Sequence, residues 1–270
     1  MTTAPSLEAV KTRQQKTWSS GDYGKIAWIT VPLADALCEA VGLRPGSAVL
    51  DVATGTGHVA LAAARRFCAV TGIDYVPALL QEAHARAAAE DLPVEFQEAD
   101  AEELPGAGES FDYVLSAIGV MFTADHQRAA NELLRVCRSG GVVGLVNWTP
   151  TGFVGQMLKL VGRHVPPPPG AQPPTRWGSE EGVRELLGAG AAGLAFTTAS
   201  VTQRFPSPEF FADFFLNYYG PTFKASEALS QEGRRAFRDD LIALAAASND
   251  ATDGTLVNDW EYLVTVATKA

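Results

Sequence analysis

A glycine-spaced turn wedged between an apolar strand and a helix start constrains this chain more than anything else in it. Residues 48–60 read A-V-L-D-V-A-T-G-T-G-H-V-A. Gly55 and Gly57 carry no Cβ, so the backbone there turns sharply and lets a ligand come close. Asp51 falls where the strand ends. That places a carboxylate at the crevice beyond the carboxyl edge of a parallel sheet, where open α/β folds bind ligands. A cationic group suits such an acid better than a pyrophosphate does.

The turn alone fits two ligand classes. Gly55-x-Gly57-x-x-Ala60 also satisfies the dinucleotide fingerprint, and Asp74 lies near the spacing of a ribose-binding acid. The surrounding pattern separates them. Val70-Thr71-Gly72-Ile73-Asp74 reads as a second buried strand ending in a carboxylate, and an acid there can accept from both ribose hydroxyls in either class. A third strand over residues 94–101 runs into Asp100-Ala101-Glu102-Glu103-Leu104-Pro105. A fourth, Phe111-Asp112-Tyr113-Val114-Leu115-Ser116, is followed by Asn131-Glu132-Leu133-Leu134-Arg135-Val136-Cys137-Arg138-Ser139-Gly140-Gly141.

In order and spacing, residues 47–147 resemble the class I, Rossmann-like S-adenosylmethionine-dependent methyltransferases. The likeness is to the small-molecule group that includes ubiquinone and menaquinone C-methyltransferases. Ser139 stands where that family usually has proline. The resemblance implies S-adenosyl-L-methionine as cofactor and S-adenosyl-L-homocysteine as product. It also implies cofactor contacts from Tyr23, Asp51, Ala53, Thr54, Gly55, Gly57, Asp74, Tyr75, Asp100, Ala101 and Ala117, with Asp100 accepting the adenine amino group. The expected activity is methyl transfer to a small, aromatic or lipophilic acceptor. One alternative is a natural-product enzyme of this fold that uses the cofactor without methyl transfer; the other is an NAD-dependent oxidoreductase. Asp51, the 100–101 segment and the Gly140-Gly141 turn weigh against the latter.

Composition narrows the partners. The 270 residues can form one α/β unit with insertions, and 47% hydrophobic content fits a globular chain. A net charge of -10 argues against nucleic acid, which is bound through basic surfaces. The segment Ser116-Ala117-Ile118-Gly119 also differs from the Asn/Asp-Pro-Pro-aromatic run of relatives that methylate bases, so base flipping is not expected. Cys38, Cys68 and Cys137 are too few and scattered for a disulfide framework or a zinc site; they read as reduced core thiols. No stretch has the length of a membrane span and the first residues lack an apolar signal core. The expectation is a cytoplasmic enzyme with a small-molecule substrate, no metal, no nucleic-acid or membrane partner, and room for a homodimer.

Strand and helix patterns alternate, which implies βαβ units. The expected architecture is a seven-stranded, mostly parallel sheet with an antiparallel last strand, helices on both faces, a helical N-terminal cap and lid insertions. The expected divisions, within one structural domain, are a cap over 1–45, a cofactor-binding core over 46–150, an insertion over 151–192, and the last two strands with an aromatic lid over 193–270. Helices are expected over residues 5–18, 26–41, 153–161, 182–187, 208–219 and 225–247, a stiff link over 166–170, and late strands over 194–205 and 260–268.

Each candidate has a plainer role beside the chemical one. Asp51 and Asp74 fit helix caps as well as ligand contacts, and Thr54 and Thr56 fit the cap of the helix near His58, itself read as a surface residue. Glu102 and Glu103 read as surface charge. Phe211, Phe214, Phe215 and Tyr218 fall at helical spacing as a core stripe, and Phe210 and Tyr219 widen that stripe enough to roof an acceptor pocket. Trp18, Phe122, Trp148, Phe214 and Tyr218 are the expected pocket residues, and Trp148 fits packing equally well. Tyr23 is the aromatic expected to face the sulfonium. His126 is the expected general base, with the first turn of a helix as its plain role; His164 is the lesser candidate.

Overall fold

The computed structural model describes residues 7–168 and 170–270. Seven strands form one sheet: β1 (Ala48–Val52), β2 (Ala69–Asp74), β3 (Val94–Glu98), β4 (Phe111–Ala117), β5 (Cys137–Trp148), β6 (Ala191–Phe205) and β7 (Leu256–Lys269). Their order is β3-β2-β1-β4-β5-β7-β6. The first five pair in parallel, and β7 runs antiparallel between β5 and β6. Strand order reverses between β1 and β4. Connections leave these two strands in opposite directions, so their carboxyl ends open a crevice.

The helices packed around the sheet are α1 (Leu7–Trp18), α2 (Tyr23–Ala27), α3 (Val31–Ala40), α4 (His58–Ala64), α5 (Pro77–Ala89), α6 (His126–Val136), α7 (Phe153–His164), α8 (Glu180–Leu187), α9 (Pro208–Tyr218), α10 (Gly220–Ala228) and α11 (Gln231–Ala247). β1 is buried along nearly its whole length, as expected for a parallel strand covered on both faces. Leu33 and Leu37 of α3 and Val59, Ala60 and Ala63 of α4 belong to the same buried cluster as Val49, Leu50 and Val52 of β1.

Several boundaries differ from expectation. The 26–41 helix is two helices joined by a tight turn at Trp28–Thr30. Pro32 opens α3, where a missing N–H costs nothing. The third strand stops at Glu98, because its partner β2 ends at Asp74 opposite that residue. The 225–247 helix breaks after Ala228, and Ser230 caps α11 by accepting from the Gly233 N–H. The last strand begins at Leu256, four residues early, since it pairs with β6 over that strand's full length. The first two positions of the expected 5–18 helix, and Pro169 of the 166–170 link, lie outside the described residues.

The aromatic run of α9 divides by face. Phe211 and Phe215 are buried against Trp260 of β7, and Phe153 and Phe205 stack on the same indole. Phe210 is 46% exposed and stacks on Phe214. The α9–α10 junction also receives the N-terminal cap through glycine contacts. A Cβ on Gly21 would meet the Tyr218 carbonyl, and one on Gly220 would meet that of Thr17.

Candidate cofactor site

The crevice at the β1/β4 reversal is a cleft whose floor is the turn after β1, the tip of β2 and the end of β4. Two non-glycine residues there hold left-handed backbone, Ala53 (φ 54) and Ile118 (φ 63). Such conformations cost about 1–3 kcal/mol each and gather at binding sites. Gly119 permits the crossing, because a Cβ on it would lie 2.6 Å from the Ala53 Cβ.

Both strand-tip acids are buried. Asp51 is 1% exposed; its Oδ2 accepts from the Thr54 hydroxyl (2.5 Å) and from the Ala60 N–H in the first turn of α4 (2.9 Å). Asp51 therefore caps α4 as well as facing the cleft. Asp74 accepts from the Gly55 N–H through Oδ2 and from the Val76 N–H through Oδ1, each at 2.9 Å. Burial pushes Asp51 up to about 7 and Asp74 up to about 6, with these hydrogen bonds opposing the rise. Desolvation exceeds what the local donors return, so a cation docking beside either carboxylate would favour its charged form.

Tyr23 lies over the glycine turn. A Cβ on Gly55 (φ +56) would sit 3.5 Å from its Cε1, and burial holds its phenol up at about 12, with the Asp74 charge adding to the rise. Gly57 (φ +88) faces Ala83 and Phe96, so the turn is pressed against α5 and β3. Tyr75 follows Asp74 on the wall, its phenol also raised by burial.

Helix α1 closes the third side through the polar side chains of Lys11, Gln14 and Gln15. Lys11 Nζ pairs with Asp100 Oδ2 (2.6 Å) and Glu102 Oε2 (2.7 Å). The Gln14 amide donates to the Phe122 carbonyl and the Gln15 amide to the Tyr75 carbonyl. Trp18, one turn on, meets Tyr23, Phe122 and Tyr219 edge to face at centroid distances of 5.8, 4.8 and 5.9 Å. Asp100 Oδ1 accepts from the Glu102 N–H. Glu102 is 2% exposed, not the surface charge its sequence context suggests. Its Oε1 accepts from the Ala124 and Asp125 N–H groups before α6.

Ala53, Thr54, Gly55, Asp74, Tyr75, Asp100, Ala101, Ala117, Trp18 and Phe122 all stand on the cleft wall with Tyr23 and Asp51; Gly57 stands behind it. Four expected residues stand elsewhere. His126 is the first residue of α6, 2% exposed, with its ring against Trp177. Burial lowers it to about 4, and Arg176 adds to the fall. Trp148 packs on Trp260 and Tyr262 in the core, because its strand position turns it toward β7. Phe214 and Tyr218 line the outer side of α9, with Lys25 Nζ 4.1 Å from the Tyr218 ring. His164, the lesser base candidate, pairs with Asp240 (2.8 Å) at the end of α7. His58, read as a surface residue, is half-buried on the cleft wall.

Lys11, Gln14 and Gln15 were not singled out from the sequence, and Glu102 was read there only as surface charge. The first three share a helix face with Trp18 at positions i, i+3, i+4 and i+7, and that stripe was the available signal.

The wall thus carries four carboxylates, Asp51, Asp74, Asp100 and Glu102, against one lysine, which is already paired. A pyrophosphate would meet repulsion here, whereas a cationic nucleoside would relieve it. Fold and cleft together define a Rossmann-like protein with an acidic ligand cleft at its strand tips.

Comparison with known proteins makes this specific. Residues 49–141 match the family described as a methyltransferase domain. An uncharacterized protein of Mycobacterium tuberculosis is 41% identical over 255 residues, covering 93% of this chain and 92% of its own. The demethylmenaquinone methyltransferase of Deinococcus radiodurans is 34% identical over 178 residues, covering 64% of this chain and 67% of its own. Among solved structures, a Haemonchus contortus phosphoethanolamine N-methyltransferase bound to S-adenosylhomocysteine superposes with a TM-score of 0.62 at 18% identity, covering all of this chain and 61% of that one. The chain belongs to the class I S-adenosylmethionine-dependent methyltransferases.

Among the described residues, no helix is long and apolar enough to cross a membrane.

Proposed function

We propose that this enzyme moves the methyl group of S-adenosylmethionine to a small, flat, largely apolar acceptor. The observation that carries the reading is the aromatic wall of Trp18, Tyr23 and Phe122, backed by Tyr219. Such a wall recognises a ring by stacking and edge contacts. The relationship to an enzyme named for demethylmenaquinone supports the same acceptor class.

In this reading Asp74 meets the ribose hydroxyls, Asp51 the ammonium end, the turn at Gly55 the methionine chain, and Asp100 with Ala101 the adenine. Bound there, the sulfonium supplies an activated methyl group that needs no metal. The chain's own work is alignment and exclusion of water: α1 shuts one side of the cleft and Tyr23 covers the glycine turn. Alignment of this kind is worth roughly 7–11 kcal/mol of barrier. The buried free thiols Cys38, Cys68 and Cys137, the first and last pushed up to about 12 and about 11 by burial, support a reducing compartment such as the cytoplasm.

The test is incubation with methyl-labelled cofactor and a panel of phenols, quinols, aliphatic amines and carboxylates. Label is expected in the phenol or quinol products. Label confined to the aliphatic amines would refute the acceptor class, and acceptor converted without label would refute methyl transfer.

A further inference from the structure

We propose that Arg86 is a positioning residue for the cofactor turn. From α5 it holds the Thr56 carbonyl and the His58 ring, and so fixes the backbone against which the methionine end of the cofactor must lie. This rests on reading the β1/β4 cleft as the cofactor site.

The Arg86 Nη1 donates to the Thr56 carbonyl at 2.7 Å and lies 3.2 Å from the Thr56 hydroxyl. The same nitrogen lies 3.3 Å from His58 Nε2, while Nη2 lies 3.0 Å from His58 Nδ1. One guanidinium thus bridges consecutive parts of the turn, a backbone oxygen on one side of Gly57 and a ring on the other. The approach is possible because Gly57 lets Ala83 come close, and Arg86 is the next residue along that face of α5. Both Thr56 and His58 stand on the cleft wall. The hydrogen bonds of Arg86 are given to the turn, whereas Glu82 and Glu90 act on it only through space.

The charges around His58 come from two elements. Arg86 of α5 and Arg65 after α4 both oppose its protonation, and Arg65 is itself paired with Glu90 (2.5 Å). With burial as the larger cause, the ring is held down to about 3 and stays neutral. A neutral imidazole accepts from the guanidinium in either tautomer and adds no positive charge where a cationic ligand docks. The fork of an arginine supplies these contacts; a lysine, with one ammonium, cannot span them.

The experiment compares Arg86→Lys and Arg86→Leu with the wild type by calorimetric titration of S-adenosylhomocysteine, ligand-free melting temperature, and NMR titration of the His58 ring. Arg86→Lys is expected to melt close to the wild type yet bind about tenfold more weakly, the scale of one charge-assisted hydrogen bond. In Arg86→Leu the His58 ring is expected to titrate at clearly higher pH, because a facing cation is gone. Binding by Arg86→Lys within about twofold of the wild type, or an unmoved His58 titration in Arg86→Leu, would overturn the proposal and leave the cofactor site standing. A wild type that does not bind S-adenosylhomocysteine would bring down both.

Discussion

Replacing Asp51 by asparagine should make the ligand-free enzyme more stable and the liganded one weaker, and the two effects have one cause. Asp51 is 1% exposed and burial lifts it from 3.8 to about 7. At about 1.4 kcal/mol per pH unit, ionisation costs the ligand-free fold roughly 4 kcal/mol by about pH 8. The sign follows from proton binding: the folded state holds the proton more tightly than the unfolded state. Stability is therefore full below 3.8 and is lost as pH rises to about 7. Asparagine keeps an oxygen for the Thr54 hydroxyl and the Ala60 N–H and removes the charge.

Allowing for desolvation of the new amide, a gain of roughly 2–4 kcal/mol is expected at about pH 8, shrinking to nothing toward about pH 4. Asp74 adds to it, since the two charges repel. Affinity for S-adenosylmethionine should fall about tenfold to a hundredfold through loss of the charge proposed to face the ammonium. Denaturant unfolding across this pH range and calorimetric titration measure both. A variant destabilised by the same amount at every pH would show that Asp51 acts only as the cap of α4 and would refute the electrostatic reasoning.

Tyr23→Phe should bind S-adenosylmethionine within about twofold of the wild type, while Tyr23→Ala should lose about fivefold, because the ring face and not the hydroxyl attracts the cation; equal losses in titration would contradict this. Lys11→Met should free α1 from Asp100 and Glu102 and raise amide exchange across Leu7–Trp18 by about tenfold; unchanged exchange would show that Gln14, Gln15 and Trp18 suffice. Leu37→Ala removes a side chain that is 0% exposed beneath β5 and should cost roughly 2–5 kcal/mol in denaturant unfolding; a loss under about 1 kcal/mol would mean the site refills.

The sheet was legible because its signals are local. An apolar run ending in Asp51 or Asp74, a glycine that alone can turn there, and alternation between strand and helix patterns are each complete within a dozen residues. The same locality let the acids and glycines of the cleft be named, and it let Trp18 and Phe122 be placed on its wall. Residues whose surroundings come from distant segments were misjudged. His126 fits a base by its place after β4, yet Trp177, some fifty positions on, covers its ring. Trp148 reads as following strand five at the crevice, yet it is the last residue of β5 and its pairing with β7 turns it into the core. Glu102 reads as surface charge until Lys11 and the turn before α6 close on it.

The sequence by itself therefore determined the strand tips, the glycine turn and the sign of the charge that meets a ligand, since backbone conformation and carboxylate position follow from neighbouring residues. Tertiary structure alone decided how α1 seals the cleft, that Trp148, Phe214 and Tyr218 stand away from it, and that Arg86 grips the turn. Those outcomes depend on which separate surfaces bury one another, and burial sums over contacts that no single stretch of sequence contains.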